Sequence, residues 1–262
     1  MAQLQPEWPL RLFRKSVLKQ AKYRAISGVL GPTAGLKCLD IGSDNGVVSL
    51  LLRQRGGEWK SADLDEDSLH AIRRLVGPEV CQIDGKRTLF AEGEFDRVVV
   101  VDFLEHIPGD AEFAAELFRI LKPGGILVVN VPHFKPGLLR WFRRTIGLTD
   151  ERHGHVRPGY TLESISQVLG SYFTIERHST YSKFFSELID SLITATVTLL
   201  QGNRAAASKK GLLITEGHMK QYRSLFRAYA LIYPAVWLFA KMDSLLFFAS
   251  GYMLLVTAKV KK

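Results

Sequence analysis

"CLDIGSDNGVVSLLL", residues 38 to 52, decides how this chain of 262 residues is read. A short apolar run of strand character enters a tight turn holding Gly42 and Gly46, and an apolar helical pattern follows. Glycines at such a turn admit positive φ and let backbone approach a ligand closely, while the helix start offers N–H groups that have no partner within the helix. A dinucleotide fingerprint would need G-x-G-x-x-G, but only Gly42 and Gly46 are present, with Ser43, Asp44 and Asn45 between them. Asp40 and Asp44 also put negative charge where a pyrophosphate would sit. The turn therefore disfavours NAD and suits a ligand with cationic groups.

Outward from this turn, short apolar runs alternate with helical patterns from residue 37 to 132, as in a parallel sheet with crossover helices. The expected strands are "KCLDI" (37–41), "EWKSAD" (58–63), "EVCQID" (79–84), "FDRVVVVDF" (95–103) and "GILVVNVP" (125–132). The runs "VVVV" and "ILVVNV" lack alternation, as strands covered on both faces do. Helices are expected at 46–55, about 66–76 and about 110–121, the last stopping at "KPGG". Beyond residue 132 come a basic aromatic segment, "HFKPGLLRWFRRTIGL", a polar loop, "ERHGHVRPGY", and a helix capped by Thr161. A sixth strand at 172–180 precedes two apolar helical stretches, about 183–201 and 216–248.

Several motifs in order give the chain a resemblance to the class I S-adenosylmethionine-dependent methyltransferases, particularly the ubiquinone/menaquinone-biosynthesis group, over about residues 36 to 180. "LDIGSDNG" is similar to the first motif, "ADLDEDSL" to the end of strand two, and "QIDG" to the end of strand three. "FDRVVVVDFLEHIP" and "LFRILKPGGILVVNVP" are similar to the segments around strands four and five. The resemblance implies S-adenosylmethionine as cofactor, its amino acid moiety surrounded by Asp40, Gly42 and Gly46, with Ser43 and Asp44 in the same turn. Asp63, followed by Leu64, would accept from both ribose hydroxyls; Asp84 and Gly85 would lie beside the adenine; Asp102 would face the site. Asp65 is expected to cap the helix after strand two, and Asp84 also suits a plain turn. Asp44 stands where the family's D-x-G-x-G-x-G has its middle glycine, so a somewhat different loop shape is expected.

The implied fold is α/β: a Rossmann-like seven-stranded methyltransferase sheet with helices on both faces and a helical insertion before the last strand. Residues 1–36 form a basic helical segment, 37–182 with 250–262 the cofactor-binding domain, and 183–249 an apolar helical insertion or lid. Within residues 228–256 the uncharged runs on either side of Lys241 and Asp243 are 13 residues each. As helix that is about 20 Å, short of a hydrocarbon core of roughly 30 Å, so the segment is not expected to cross a membrane: it is either a soluble helical lid packed on the sheet or a lid that lies against a membrane.

Methyl transfer needs a base only when the acceptor is protonated, and histidine is then the usual choice. His133 and His155 are the preferred candidates, with His106 and His153 beside them. The "HGH" pair lacks a third ligand at suitable spacing, so no metal is expected. An Asn/Asp-Pro-Pro-aromatic motif is absent after strand four, where "DFLEH" stands, which argues against adenine-N6 methylation.

Charge is uneven: six Lys/Arg against one Asp/Glu in residues 1–36, 11 against 17 in 37–134, and 18 against 8 in 135–262. Basic flanks of this kind suit an anionic partner such as a phospholipid surface, nucleic acid or a phosphorylated substrate, or form a solvated basic surface. Cys38 and Cys81 lie in apolar runs and read as free thiols. No secretory signal is visible, so a cytoplasmic protein, peripheral at the inner membrane face, is expected. The expected function is O- or C-methylation of a small hydrophobic or lipid-linked acceptor; a nucleic-acid methyltransferase and a non-catalytic S-adenosylmethionine-binding protein are the alternatives.

Overall fold

The computed structural model describes residues 8–146, 149, 154–201 and 223–261. Seven strands form one sheet: β1 (Lys37–Ile41), β2 (Glu58–Asp63), β3 (Val80–Gln82), β4 (Phe95–Val101), β5 (Leu121–Pro132), β6 (Phe173–Tyr181) and β7 (Met253–Val260). Their order is β3-β2-β1-β4-β5-β7-β6, and β7 runs antiparallel to both of its neighbours. This is the expected Rossmann-like methyltransferase sheet. Because the other strands are parallel, their carboxyl ends share one edge.

Helices cover both faces. Successive valines of β4 point to opposite sides: Val98 and Val100 join one apolar cluster, Val99 and Val101 the other. On the first side lie Phe113, Leu117 and Ile120 of α5 (Asp110–Ile120), with Ile165 and Leu169 of α7 (Leu162–Leu169). On the second lie Ile26 and Leu30 of α2 (Val17–Leu30), with Val48 and Leu52 of α3 (Val47–Arg53). The basic N-terminal segment, α1 (Trp8–Arg14) followed by α2, thus contributes to the core. Thr161 caps α7 through a reciprocal bond with Ser164, and Asp65 caps α4 (Glu66–Val76) through the Ser68 amide. Cys38 is buried and Cys81 half-buried, both free; burial pushes the Cys38 thiol up to about 12.

Some boundaries differ from the sequence expectation. β5 begins at Leu121, because Leu121 pairs with Phe95 before an irregularity carries the ladder on to Ile126. The basic aromatic segment forms α6 (Leu138–Thr145). Of the insertion, α8 (Phe184–Gln201) and α9 (Arg223–Lys241) are described, whereas residues 202–222, and with them the expected helix start at 216, lie outside the described residues. Pro234 sits inside α9 and does not end it. The helix ends at Lys241 rather than 248, since Asp243 turns away to accept the amides of Lys183 and Phe185, both at 2.8 Å, and so caps α8. Among the described residues no helix is long and apolar enough to cross a membrane.

Candidate active site

The glycine turn leaves β1 with three positive φ angles: +88° at Gly42, +53° at Asp44 and +77° at Gly46. Asp44 adopts a left-handed conformation, which Asp tolerates better than most residues. A Cβ on Gly42 would lie 2.2 Å from the Val101 carbonyl oxygen, and one on Gly46 would lie 2.7 Å from the Ile72 Cα. Both contacts are with backbone, so the turn is tightly seated between β4 and α4.

Asp40 supports this turn from below. Its fully buried carboxylate accepts from Ser43 and Ser61 at 2.8 Å each, from Ser49, and from Arg53 at 3.2 Å. With both oxygens occupied by this chain, Asp40 shapes the loop. Asp63, at the end of β2, is also buried; Oδ1 accepts the Leu64 amide at 2.7 Å and Oδ2 the Asp44 amide at 3.4 Å. Asp84 turns the chain after β3, its Oδ1 accepting the amides of Lys86 and Arg87, which hold its carboxyl below the usual range. A Cβ on Gly85 would fall 2.5 Å from the Ile107 Cγ2 and 3.5 Å from the Leu64 Cδ2, so Leu64, Gly85 and Ile107 meet at one place on the carboxyl edge.

Asp102, at φ +44° beyond β4, anchors a polar chain across that edge. Lys22 of α2 is ion-paired to it, Asn130 Nδ2 donates to it at 2.7 Å, and the Tyr181 hydroxyl donates to Asn130. Burial opposes the charge on Lys22, but attraction to Asp102, Asp44 and Glu105 outweighs it and raises its pKa. Sequence reading missed Lys22, because α2 reaches the site only through packing of Ile26 and Leu30 on the far side of the sheet.

The histidines separate into two places. His133 is held against β7: its Nδ1 lies 2.8 Å from the Gly251 carbonyl oxygen and must be the protonated nitrogen, leaving Nε2 as the acceptor. His155 packs edge-on against His106, ring centres 4.8 Å apart, and His106 Nδ1 meets the Gly154 carbonyl oxygen at 3.1 Å. Arg157 and Tyr160 fasten this loop to the segment after β4: Arg157 bonds the Ile107 and Pro108 carbonyl oxygens and pairs with Asp110, while Tyr160 donates to Asp110 at 2.8 Å. Buried Glu105 completes a group with His106 and His155 whose ligand atoms lie within 4.8 Å of one another, close enough to hold a metal ion. Of the "HGH" pair only His155 takes part, the other two ligands coming from the segment after β4, while His153 lies outside the described residues.

Glu187, on the first turn of α8, is buried and accepts from Ser182 at 2.8 Å and Arg143 at 3.2 Å. Burial, then repulsion from Asp190, pushes its carboxyl from 4.5 up to about 7, despite Arg143 and Ser182. The folded chain therefore holds a proton that the unfolded chain releases. The stability this supplies is full below pH 4.5 and is lost as pH rises through 7. In melting curves against pH, Glu187→Gln is expected to flatten the decline between pH 4.5 and 7; equal slopes in both proteins would refute this assignment.

A separate cavity of about 330 Å³, lined by Lys37, Glu58, Lys60 and Phe95 among others, lies at the amino-terminal edge of the sheet and is not part of this site.

Comparison with known proteins agrees with this geometry. Residues 39–129 match the family model described as "Methyltransferase domain". The Pseudomonas aeruginosa (strain LESB58) ubiquinone biosynthesis O-methyltransferase is 34% identical over 110 residues, covering 39% of this chain and 47% of that protein. The chain thus spans about half the length of the curated relatives it matches. Among solved structures, an S-adenosylmethionine-dependent methyltransferase from Mesorhizobium loti superposes with a TM-score of 0.57 at 17% identity, covering 91% of this chain and 97% of that one. Geranyl diphosphate C-methyltransferase from Streptomyces coelicolor A3(2) superposes with 0.57 at 13% identity, covering 92% and 76%. The strand order, the positive φ angles of the Gly42–Gly46 turn and the match over residues 39–129 converge: the chain has the fold of S-adenosylmethionine-dependent methyltransferases and carries a methyltransferase domain over residues 39–129.

Proposed function

We propose that this protein transfers a methyl group from S-adenosylmethionine to an oxygen or carbon of a small hydrophobic or lipid-linked acceptor. The observation that carries the reading is the acidic turn, with Asp44 held left-handed over the Asp63 carboxylate. When bound, S-adenosylmethionine supplies a methyl group on a cationic sulfur that leaves as a neutral thioether. The residues present suit it: Asp44 lends negative charge, Asp63 offers two acceptor oxygens, and Leu64, Gly85 and Ile107 offer an apolar seat for a base. The Asp44–Asp63 bond, at 3.4 Å, is long, so exchanging it for ligand hydroxyls costs little. Lys22 adds a cation from α2 that suits a ligand carboxylate, at the expense of its pairing with Asp102.

On the acceptor side, a hydroxyl forms its new bond to the methyl carbon as it gives up its proton. His133 is suited to receive that proton, since its Nδ1–H is tied to the Gly251 carbonyl and Nε2 is the basic nitrogen. His155, packed edge-on against His106, is the second candidate. The basic aromatic α6 and apolar α8 and α9 around the carboxyl edge favour a hydrophobic acceptor, as does the name of the curated relative.

The test is transfer of labelled methyl from S-adenosylmethionine with a lipid extract, a soluble metabolite pool and nucleic acid supplied separately. Label is expected in the lipid extract. Label in nucleic acid, with binding that weakens steeply with salt, would replace this reading with a nucleic-acid methyltransferase. Cofactor binding without transfer to any pool would make the chain a binding protein.

A further inference from the structure

We infer that α9 and the segment after it form a docking surface for an anionic lipid bilayer. The docking stands on its own residues; that it serves the supply of an acceptor rests on the methyltransferase reading above. From Ala228 to Ala240 α9 carries no charged residue. Its inward positions, Tyr229, Tyr233 and Val236, are half-buried and Ala240 is buried, while the outward face is equally apolar, with Leu231 82% exposed beside Ile232, Trp237 and Leu238. A water-facing helix normally carries polar residues on that side, and a helix apolar all round needs a second apolar surface. This one is not long and apolar enough to cross a bilayer, so it would lie along it.

The segment after α9 continues the apolar surface. Leu245, Phe247 and Phe248 are 65%, 85% and 77% exposed. They project from backbone that is held firmly: Lys183 Nζ donates to the Leu246 carbonyl oxygen at 2.6 Å, and Lys135 Nζ donates to that of Ser250 at 2.7 Å. Asp243 fixes the preceding turn to the start of α8. The two phenylalanines, ring centres 5.6 Å apart, therefore stand out as a fixed wedge.

Charge selects the occupant. Lys183 and Lys135 flank the wedge, Lys241 lies over the Trp237 ring at 4.9 Å, and Arg227 begins the apolar face. An apolar face rimmed by cations matches hydrocarbon bounded by anionic headgroups. A second copy of this chain would instead set the same cationic rim against itself. The surface is also linked to the site: Gln20 donates to the Tyr233 hydroxyl at 2.8 Å and Tyr229 to the Lys15 carbonyl oxygen at 2.7 Å, joining α9 to the helix that carries Lys22.

The test is flotation of the full chain with vesicles of phosphatidylcholine alone and with phosphatidylglycerol added. Binding is expected only with phosphatidylglycerol, weakening as salt rises. The double variant Phe247→Ser/Phe248→Ser should lower the partition coefficient by about tenfold or more, with melting temperature and S-adenosylmethionine affinity unchanged. Failure of the native chain to float, equal flotation of the double variant, or loss of a concentration-dependent dimer in place of loss of flotation would each overturn the inference. Calorimetry with S-adenosylmethionine on the same samples separates the two readings. Vesicle binding without cofactor binding leaves the docking surface standing and removes the enzyme; cofactor binding without vesicles does the reverse.

Discussion

Replacing Asp63 with alanine is expected to weaken S-adenosylmethionine binding by about two orders of magnitude. The residue ends β2 on the shared carboxyl edge, and its two oxygens lie against the Leu64 and Asp44 amides beside the glycine turn. A ribose would bring two hydroxyl donors to one carboxylate. Each hydrogen bond to a charged group contributes about 1.5–3 kcal/mol, and about 2.7 kcal/mol is already a hundredfold in affinity. Asp63→Asn keeps the shape of the buried side chain and one of its acceptors, so an intermediate loss with an unchanged fold is expected. Calorimetric titration distinguishes the outcomes. Unchanged affinity in the alanine variant would remove the ribose assignment, and equal unfolding of both variants would make Asp63 a residue of the loop alone.

The second large effect is expected at Gly42. Alanine there must take a φ of +88° and place its Cβ 2.2 Å from the Val101 carbonyl oxygen and 3.0 Å from the Phe103 Cβ. Left-handed strain alone costs roughly 1–2 kcal/mol, and the clash adds to it because strand backbone cannot move aside as a side chain could. A loss of about 3 kcal/mol or more in urea unfolding is expected, together with loss of cofactor binding. Gly77→Ala is the control: its φ is +89°, but nothing lies within 4 Å of the added carbon, so it isolates the strain. Equal, small losses for both substitutions would show that the Gly42 turn is not closely seated.

The parts of the site that were legible in the sequence are local ones. The strand ends, the glycine turn and Asp65 as the α4 cap follow from residue type and spacing within short stretches. At Asp44 the turn takes a left-handed φ of +53°, a conformation that Asp is among the residues to tolerate. What the sequence did not reveal depends on segments far apart in the chain. Lys22 and Asp102 are separated by 80 residues and meet only because α2 is packed on the sheet. Glu105 joins His155 because Arg157 and Tyr160 bind one loop to another. Asp243 read as a charge interrupting an apolar run, and its function as the cap of α8 requires knowing which helix start lies beside it. The saturation of Asp40 by three serines and Arg53 is likewise invisible to spacing, although the residue itself stands out.

The most direct measurement is calorimetric titration of the full chain with S-adenosylmethionine, repeated with Asp63→Ala. One saturable site per chain, lost or weakened about a hundredfold in the variant, is the predicted result. No binding by the native chain, or equal binding by both proteins, would contradict the assignment of the Gly42–Gly46 turn and Asp63 as the methyl-donor site.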